Sequence, residues 1–265
     1  MNLAIRLVTI CLLLAPSVVS PAADPPTVLI TGANRGLGFA FAQKYLARGW
    51  TVIATARHPE QATDLKTLVS QSKDGSGRLR IEKLDVTDPA SVNALGQRLG
   101  STPIDLLLNN AGMLGTEPGQ QLGSLDPARF DTYMRVNAFG ALLVSERLLP
   151  NVRASKQKKI AGISAAVASF AAYPRTHRGL YYYKASKVAL NMIMRNIALD
   201  TEADGIAVAV LSPGVVNTYG VPMAEDMRGM VDINTSVDGM IKVLDSLDLK
   251  GSGKWYRYTG DVIAW

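Results

Sequence analysis

Tyr183 and Lys187 stand four residues apart in the run Tyr183-Lys184-Ala185-Ser186-Lys187. On a helix, that spacing puts a phenol and an ammonium on one face, one turn apart. A free tyrosine, with a pKa of about 10, is a poor proton donor or acceptor near neutrality. A fixed cation beside it favours the phenolate and lowers that pKa. The pair can then pass a proton to or from a carbonyl or alcohol oxygen. The same spacing also occurs on solvated helices that do no chemistry, so the rest of the chain decides its meaning.

A second signal lies near the start of the globular part. Residues 27–31, Thr-Val-Leu-Ile-Thr, form a β-branched and apolar run that reads as a buried strand. Gly32-Ala33-Asn34-Arg35-Gly36-Leu37-Gly38 follows, and residues 39–48 have helical periodicity that stops at Gly49. Strand, glycine turn and helix in that order make a phosphate cradle. The glycines allow a tight turn and close approach to a pyrophosphate, and the helix N-terminus offers unpaired N–H groups. An ordinary βα turn also uses glycines.

Further motifs follow in order. They are Asn109-Asn110-Ala111-Gly112, Asn137 within Val136-Asn137-Ala138-Phe139-Gly140, and Pro213-Gly214-Val215-Val216-Asn217-Thr218. With Thr31-Gly32-x-x-x-Gly36-x-Gly38 and the Tyr183/Lys187 pair, the chain over about 27–265 resembles the short-chain dehydrogenase/reductase family. Its ending, from Gly253-Lys254-Trp255-Tyr256 to Trp265, is most similar to the carbonyl-reductase-like branch with C-factor and sniffer-type proteins. The resemblance implies hydride transfer between a nicotinamide cofactor and a carbonyl or alcohol. It implies that Tyr183 donates the proton, that Lys187 lowers the tyrosine pKa and holds the nicotinamide ribose, and that Asn137 positions a relay water. A buried polar group on a helix is the plainer reading of Asn137. The resemblance also places Gly32, Asn34, Arg35, Gly36, Leu37, Gly38, Asn109, Ala111, Gly112, Pro213, Gly214 and Val216 at the cofactor, with Thr218 at its carboxamide end.

One position departs from the family pattern. The family usually carries a serine at the end of its fifth strand, the second of an Ile-Ser-Ser sequence. Here the segment reads Ile163-Ser164-Ala165, which puts Ala165 at the serine position. Ser164 is one residue off, and neighbouring strand side chains face opposite ways. Ser169, in the following loop, is a second candidate donor. Losing a donor to a reacting oxygen costs about 2.7–4 kcal/mol of barrier in a comparable site. Two expectations follow: an enzyme that is slow or uses another donor, or a cofactor-binding regulatory protein with little turnover.

Cofactor choice is read from the second strand. NAD-binding folds often place an acid about 20 residues after the glycine turn. The segment here, Ala54-Thr55-Ala56-Arg57-His58, has none. Arg57 offers a planar fork to a 2′-phosphate, and Arg35 lies within the turn itself. The expectation is NADP(H) rather than NAD(H). Asp85 matches the family residue near the adenine, and otherwise caps the turn before the helix at Asp88-Pro89.

Strands are predicted at 27–31, 51–55, 79–84, 104–108, 158–164, 206–212 and 255–258. Helices are predicted at 36–48, 60–70, 88–99, 127–150, 182–203 and 222–247. Such alternation predicts an α/β fold, a doubly wound parallel sheet in one domain over 24–265. Residues 173–180, with Pro174, Arg175, His177 and Arg178, form a polar insertion that either lines a substrate mouth or is a surface loop. Residues 219–235 carry Pro222, Met223, Met227 and Met230, where the family places a substrate lid; methionines also fill core gaps.

The chain of 265 residues suffices for a large single core, and 48% hydrophobic with 19% charged residues excludes a disordered chain. Residues 1–23 have one basic residue (Arg6), an apolar stretch at 7–15 and the only cysteine, Cys11. That layout predicts a secretory signal peptide, and otherwise an N-terminal anchor or a cytoplasmic chain with a mis-set start. Without that segment the net charge of +6 falls to +5. Arg153, Lys156, Lys158 and Lys159 cluster and read as a solvated face. No basic stripe with interleaved aromatics points to nucleic acid, no metal site is expected, and a basic balance suits an anionic cofactor. A small-molecule carbonyl or alcohol is the expected partner. Helix 182–203 has apolar residues on more than one face, which permits a homodimer or a buried helix in a monomer.

Overall fold

The structure, a computed structural model, describes residues 24–71, 77–113, 120–171, 178–217 and 230–265. All seven predicted strands are present: β1 (Thr27–Ile30), β2 (Thr51–Ala56), β3 (Leu79–Lys83), β4 (Leu106–Asn109), β5 (Lys159–Ile163), β6 (Ala207–Ser212) and, after a small β7–β8 pair, β9 (Lys254–Arg257). They form one parallel sheet in the order β3-β2-β1-β4-β5-β6-β9. Both faces are covered, which is why its strands read as apolar runs. Leu29, Leu107 and Ile160 share one row across β1, β4 and β5 and pack with Leu190 and Met194. Their strand neighbours Val28, Leu106 and Ala161 face the other layer with Phe41 and Met240.

The helices are α1 (Gly36–Ala47), α2 (Thr63–Gln71), α3 (Pro89–Leu99), α4 (Pro127–Met134), α5 (Gly140–Arg153), α6 (Tyr181–Asp200) and α7 (Ile233–Ser246). The fold is a single-domain doubly wound sheet. Its strand order reverses between β1 and β4, and ligands of such sheets bind beyond the C-terminal strand ends at that crevice. Both the glycine turn after β1 and the Asn-Asn-Ala-Gly segment after β4 lie there.

Three predicted helices differ. The 127–150 stretch is α4, a π-turn at Arg135–Phe139, and α5. A π-turn inserts one residue, which an apolar pattern barely registers. The 60–70 stretch opens as a 3₁₀ turn, Pro59–Gln61, before α2. Helix 222–247 is described only as α7, beginning at Ile233. Asp232 caps it by accepting from the amides of Asn234 and Thr235, an N-cap signal outweighed by the surrounding methionines. Strands β7 (Val215–Val216) and β8 (Met230–Val231) pair beside it.

The basic cluster is not simply a solvated face. Arg153 pairs with Asp204 at 2.7 Å. Lys159 is buried, and its ammonium donates to the carbonyls of Leu244 (2.6 Å) and Asp245 (3.2 Å) at the end of α7. Burial lowers its pKa, and nearby Asp245 partly opposes that. A cation at a helix C-terminus satisfies orphan carbonyls and complements the helix dipole. Residues 1–23, Tyr173 to His177, Pro222, Met223 and Met227 lie outside the described residues. Among the described residues, no helix is long and apolar enough to cross a membrane, and no group of side chains has the makings of a metal site.

Candidate active site

The glycine turn is held by its neighbour across the crevice. Gly32 has φ of +65°, a left-handed conformation that other residues adopt only with strain. Gly38 has no room for a side chain: a Cβ there would lie 2.3 Å from the Gly32 carbonyl oxygen and 2.5 Å from Asn110 Nδ2. Asn110 donates to the carbonyls of Thr31 (2.9 Å) and Gly32 (3.0 Å). The Thr31 hydroxyl accepts from the amides of Asn110 and Ala111, each at 2.9 Å. Thr31 and Asn110 thus lock the two loops together, and the motif reading named neither as a site residue.

Helix α1 starts at this latch. Its N-cap, Arg35, is extended and supplies no side-chain cap, and the first turn contains no acid. Asn34 and Arg35 are exposed, while Gly36 and Leu37 are half-buried. An uncapped helix start with a positive dipole end and no acid in its first turn suits a phosphate. Arg57, just past β2, is exposed and has no ion-pair partner among the described residues. The Asp85 carboxylate accepts from the amide (2.9 Å) and hydroxyl (2.7 Å) of Thr87. Asp85 thus caps the turn before α3, as its alternative reading has it, and Asp88 caps the helix itself by accepting from Ala90.

Asn109 ends β4. Its side chain lies on the α5 side of the sheet, where Nδ2 donates to Ser145 Oγ at 3.0 Å. Asn110, beyond the strand end, turns toward the glycine loop. Ala111 and Gly112 follow it there, Ala111 within about 3 Å of a Cβ placed on Gly32.

The other half of the site is carried by α6. Tyr183 and Lys187 are both buried, and the Lys187 ammonium lies 5.9 Å from the Tyr183 ring centroid. That ammonium donates to the Ile163 carbonyl at 2.8 Å. Burial lowers the Lys187 pKa to about 8. A Cβ on Gly112 would lie 3.4 Å from Lys187 Nζ and 3.1 Å from Asn137 Oδ1, so the segment after β4, the π-turn and α6 converge. Asn137 accepts from the Met113 amide (2.7 Å) and donates to the Met113 carbonyl (3.1 Å) and to Ser186 Oγ (2.9 Å). Ser186 in turn donates to the Tyr183 carbonyl at 2.8 Å. The Asn137 side-chain amide thus bonds Met113 and Ser186, as a buried polar group on a helix does.

Ala165 packs against the cluster formed by Tyr133, Tyr182 and Tyr183. The position aligned with the family serine therefore lies at the tyrosine cluster, and it brings no donor. Ser164 is buried, with no partner for its hydroxyl among the described residues. The Ser169 hydroxyl donates to the Ala264 carbonyl at 2.7 Å, tying its loop to the chain beyond β9. Past β6, Ser236 donates to the Pro213 carbonyl at 2.7 Å, and Gly214 packs under Tyr258 and Val231. Val216 pairs with Val231. Thr218 lies outside the described residues.

Comparison with known proteins places this geometry. Residues 26–229 match the family model described as short chain dehydrogenase. The C-signal protein of Myxococcus xanthus is 33% identical over 177 residues, 66% of this chain and all of that one. A short chain dehydrogenase of Penicillium aethiopicum is 32% identical over 260 residues, 91% of this chain and all of that one. Among solved structures, NADPH-bound carbonyl reductase from chicken fatty liver superposes with a TM-score of 0.81 at 33% identity, covering 91% of this chain and 99% of that one. A short-chain dehydrogenase/reductase of Burkholderia multivorans with bound NADP gives 0.77 at 33% identity, covering 91% of this chain and all of that one. With its sheet order, glycine turn and Tyr183/Lys187 helix, this chain belongs to the short-chain dehydrogenase/reductase family.

Proposed function

We propose that this protein is an NADP(H)-dependent oxidoreductase that interconverts a carbonyl and an alcohol on a small molecule. The observation that carries the proposal is Lys187, an ammonium buried beside Tyr183 at the C-terminal end of the sheet. Burying a charge is costly, and a purely structural helix has no use for that cost. The donors fit a dinucleotide: an uncapped α1 start, the glycine turn locked by Asn110, and Arg57 where an NAD-preferring fold would place an acid. The chicken and Burkholderia structures hold NADPH and NADP, which supports the same choice here.

The bound nicotinamide would supply the hydride; the chain supplies position and the proton. Tyr183 would donate its proton to the substrate oxygen as negative charge develops there. Lys187, held by the Ile163 carbonyl, favours the resulting phenolate. Ser186 and Asn137 hold the Tyr183 backbone and the 112–113 segment in place. Arg57 would meet the 2′-phosphate. Replacing it with alanine should weaken NADPH binding by about 10- to 100-fold, the value of a charge-assisted contact, and leave NADH binding nearly unchanged. Equal losses for both nucleotides, measured by fluorescence titration, would remove Arg57 from that role.

Ala165 and the likeness to a protein named C-signal favour a second reading, a regulator that binds NADP(H) and turns over little. The Ala165→Ser variant separates the two. A hydroxyl at that position should raise reductase turnover by about 10²- to 10³-fold, the span of a comparable donor. No gain in a folded variant would mean that another group already serves the reacting oxygen. Residues 1–23 remain, on their layout, a proposed export signal or anchor. Exposed Met192 and Leu199 on α6 make a homodimer part of the same proposal.

A further inference from the structure

Helix α6 begins without a local cap. Leu180 occupies its N-cap position with φ of +57° and no side-chain acceptor. This left-handed conformation is uncommon for a branched apolar residue. The first-turn amides, Tyr183 among them, then need acceptors from elsewhere. Gln120, sixty-three residues earlier, provides one. Its Oε1 accepts from the Tyr183 amide at 3.1 Å, and its Nε2 donates to the Tyr133 hydroxyl at 3.2 Å. Gln120 is 3% exposed, so water does not offer an easy substitute. The same loop is stitched down again where the Asp126 amide donates to the Tyr182 hydroxyl. The Tyr183 peptide is therefore gripped at both ends, with its N–H on Gln120 and its carbonyl on Ser186.

We infer that Gln120 is a positioning residue for Tyr183, supplying across the fold the N-cap that α6 lacks in its own sequence. It fixes where the first turn, and with it the phenol, stands relative to the substrate oxygen. The inference rests on the reading of Tyr183 as proton donor.

Three variants test it. Gln120→Met keeps the length and removes both hydrogen bonds. Gln120→Asn keeps the amide but is one methylene too short, and stays polar should the methionine variant not fold. Gln120→Glu keeps an acceptor for the Tyr183 amide, next to a helix start that favours negative charge. Met and Asn should lower kcat by on the order of 10- to 100-fold, as small misplacements of a reacting group do. KM and NADPH affinity should shift far less, and Glu should recover most of kcat. Amide hydrogen exchange at Tyr183 should quicken in Met and Asn and not in Glu. Equal kcat losses in all three variants, or unchanged kcat in Met and Asn, would overturn the inference. Exchange is read without turnover. If wild-type protein proves inactive, unchanged Tyr183 protection in Met and Asn would overturn the capping role, whereas quickened exchange would uphold it while the catalytic reading fails.

Discussion

Tyr183→Phe should abolish most turnover while leaving the fold and NADPH binding intact. The substitution removes one oxygen from a buried ring packed among Tyr133, Tyr182 and Ala165. A positioned acid contributes about 10²- to 10⁴-fold. Here no serine donor stands at position 165 to share the work, so the loss should lie toward the upper end. Steady-state kinetics with a nucleotide titration checks this. Retained turnover with the phenylalanine would mean that the proton comes from elsewhere and that the α6 pair is structural.

Lys187→Met should trade activity for stability, with a defined pH dependence. Burial lowers the folded pKa of Lys187 to about 8, from the ordinary lysine value of 10.5. The penalty on the buried ammonium is present in full below about pH 8. Between there and about 10.5 the folded protein releases the proton first, so wild-type stability from this group rises with pH. At pH 7 the penalty is on the order of 3 kcal/mol. Methionine removes it but leaves the Ile163 carbonyl without the lysine bond, a loss of about 1 kcal/mol. The balance favours methionine by roughly 1–2 kcal/mol at pH 7, and the advantage should vanish as pH rises toward 10. Turnover should fall at least 100-fold, because a proton-transfer tyrosine loses its cation. In wild-type protein, kcat/KM for reduction should fall above about pH 8 as the ammonium is lost. Denaturant melts at pH 7 and pH 10, set beside a pH–rate profile, decide both halves. A variant that is less stable at pH 7 would show that the cation is already compensated in the folded state.

What was legible from residues alone follows from locality. Strands such as 27–31 and 206–212 announce themselves because a doubly covered parallel sheet requires continuous apolar runs. The turn at Gly32–Gly38 and the Tyr183/Lys187 spacing are short-range patterns, so their placement was readable. Ala165 was readable as a departure, and the structure sets it against the cluster that contains Tyr183. What escaped was set by contacts between distant segments. Asn110, rather than Asn109, locks the glycine turn, which depends on where β4 ends. The break at Asn137 depends on the amide reaching Met113 and Ser186. Lys159 reads as a surface charge until α7 ends on top of it. Gln120 carries no motif, and its role follows from the poor cap at Leu180. The signal that pointed to it was an absence: no Ser, Thr, Asp or Asn opens α6.

The central claim is that this chain turns over, and does not merely bind, its nicotinamide cofactor. NADPH consumption by the purified protein, followed at 1:1 stoichiometry with alcohol formed across a broad aldehyde and ketone panel, tests it most directly. The claim predicts turnover with at least one carbonyl that requires Tyr183 and prefers NADPH to NADH. Tight NADPH binding with no turnover on any carbonyl, in both the wild-type protein and Ala165→Ser, would contradict it.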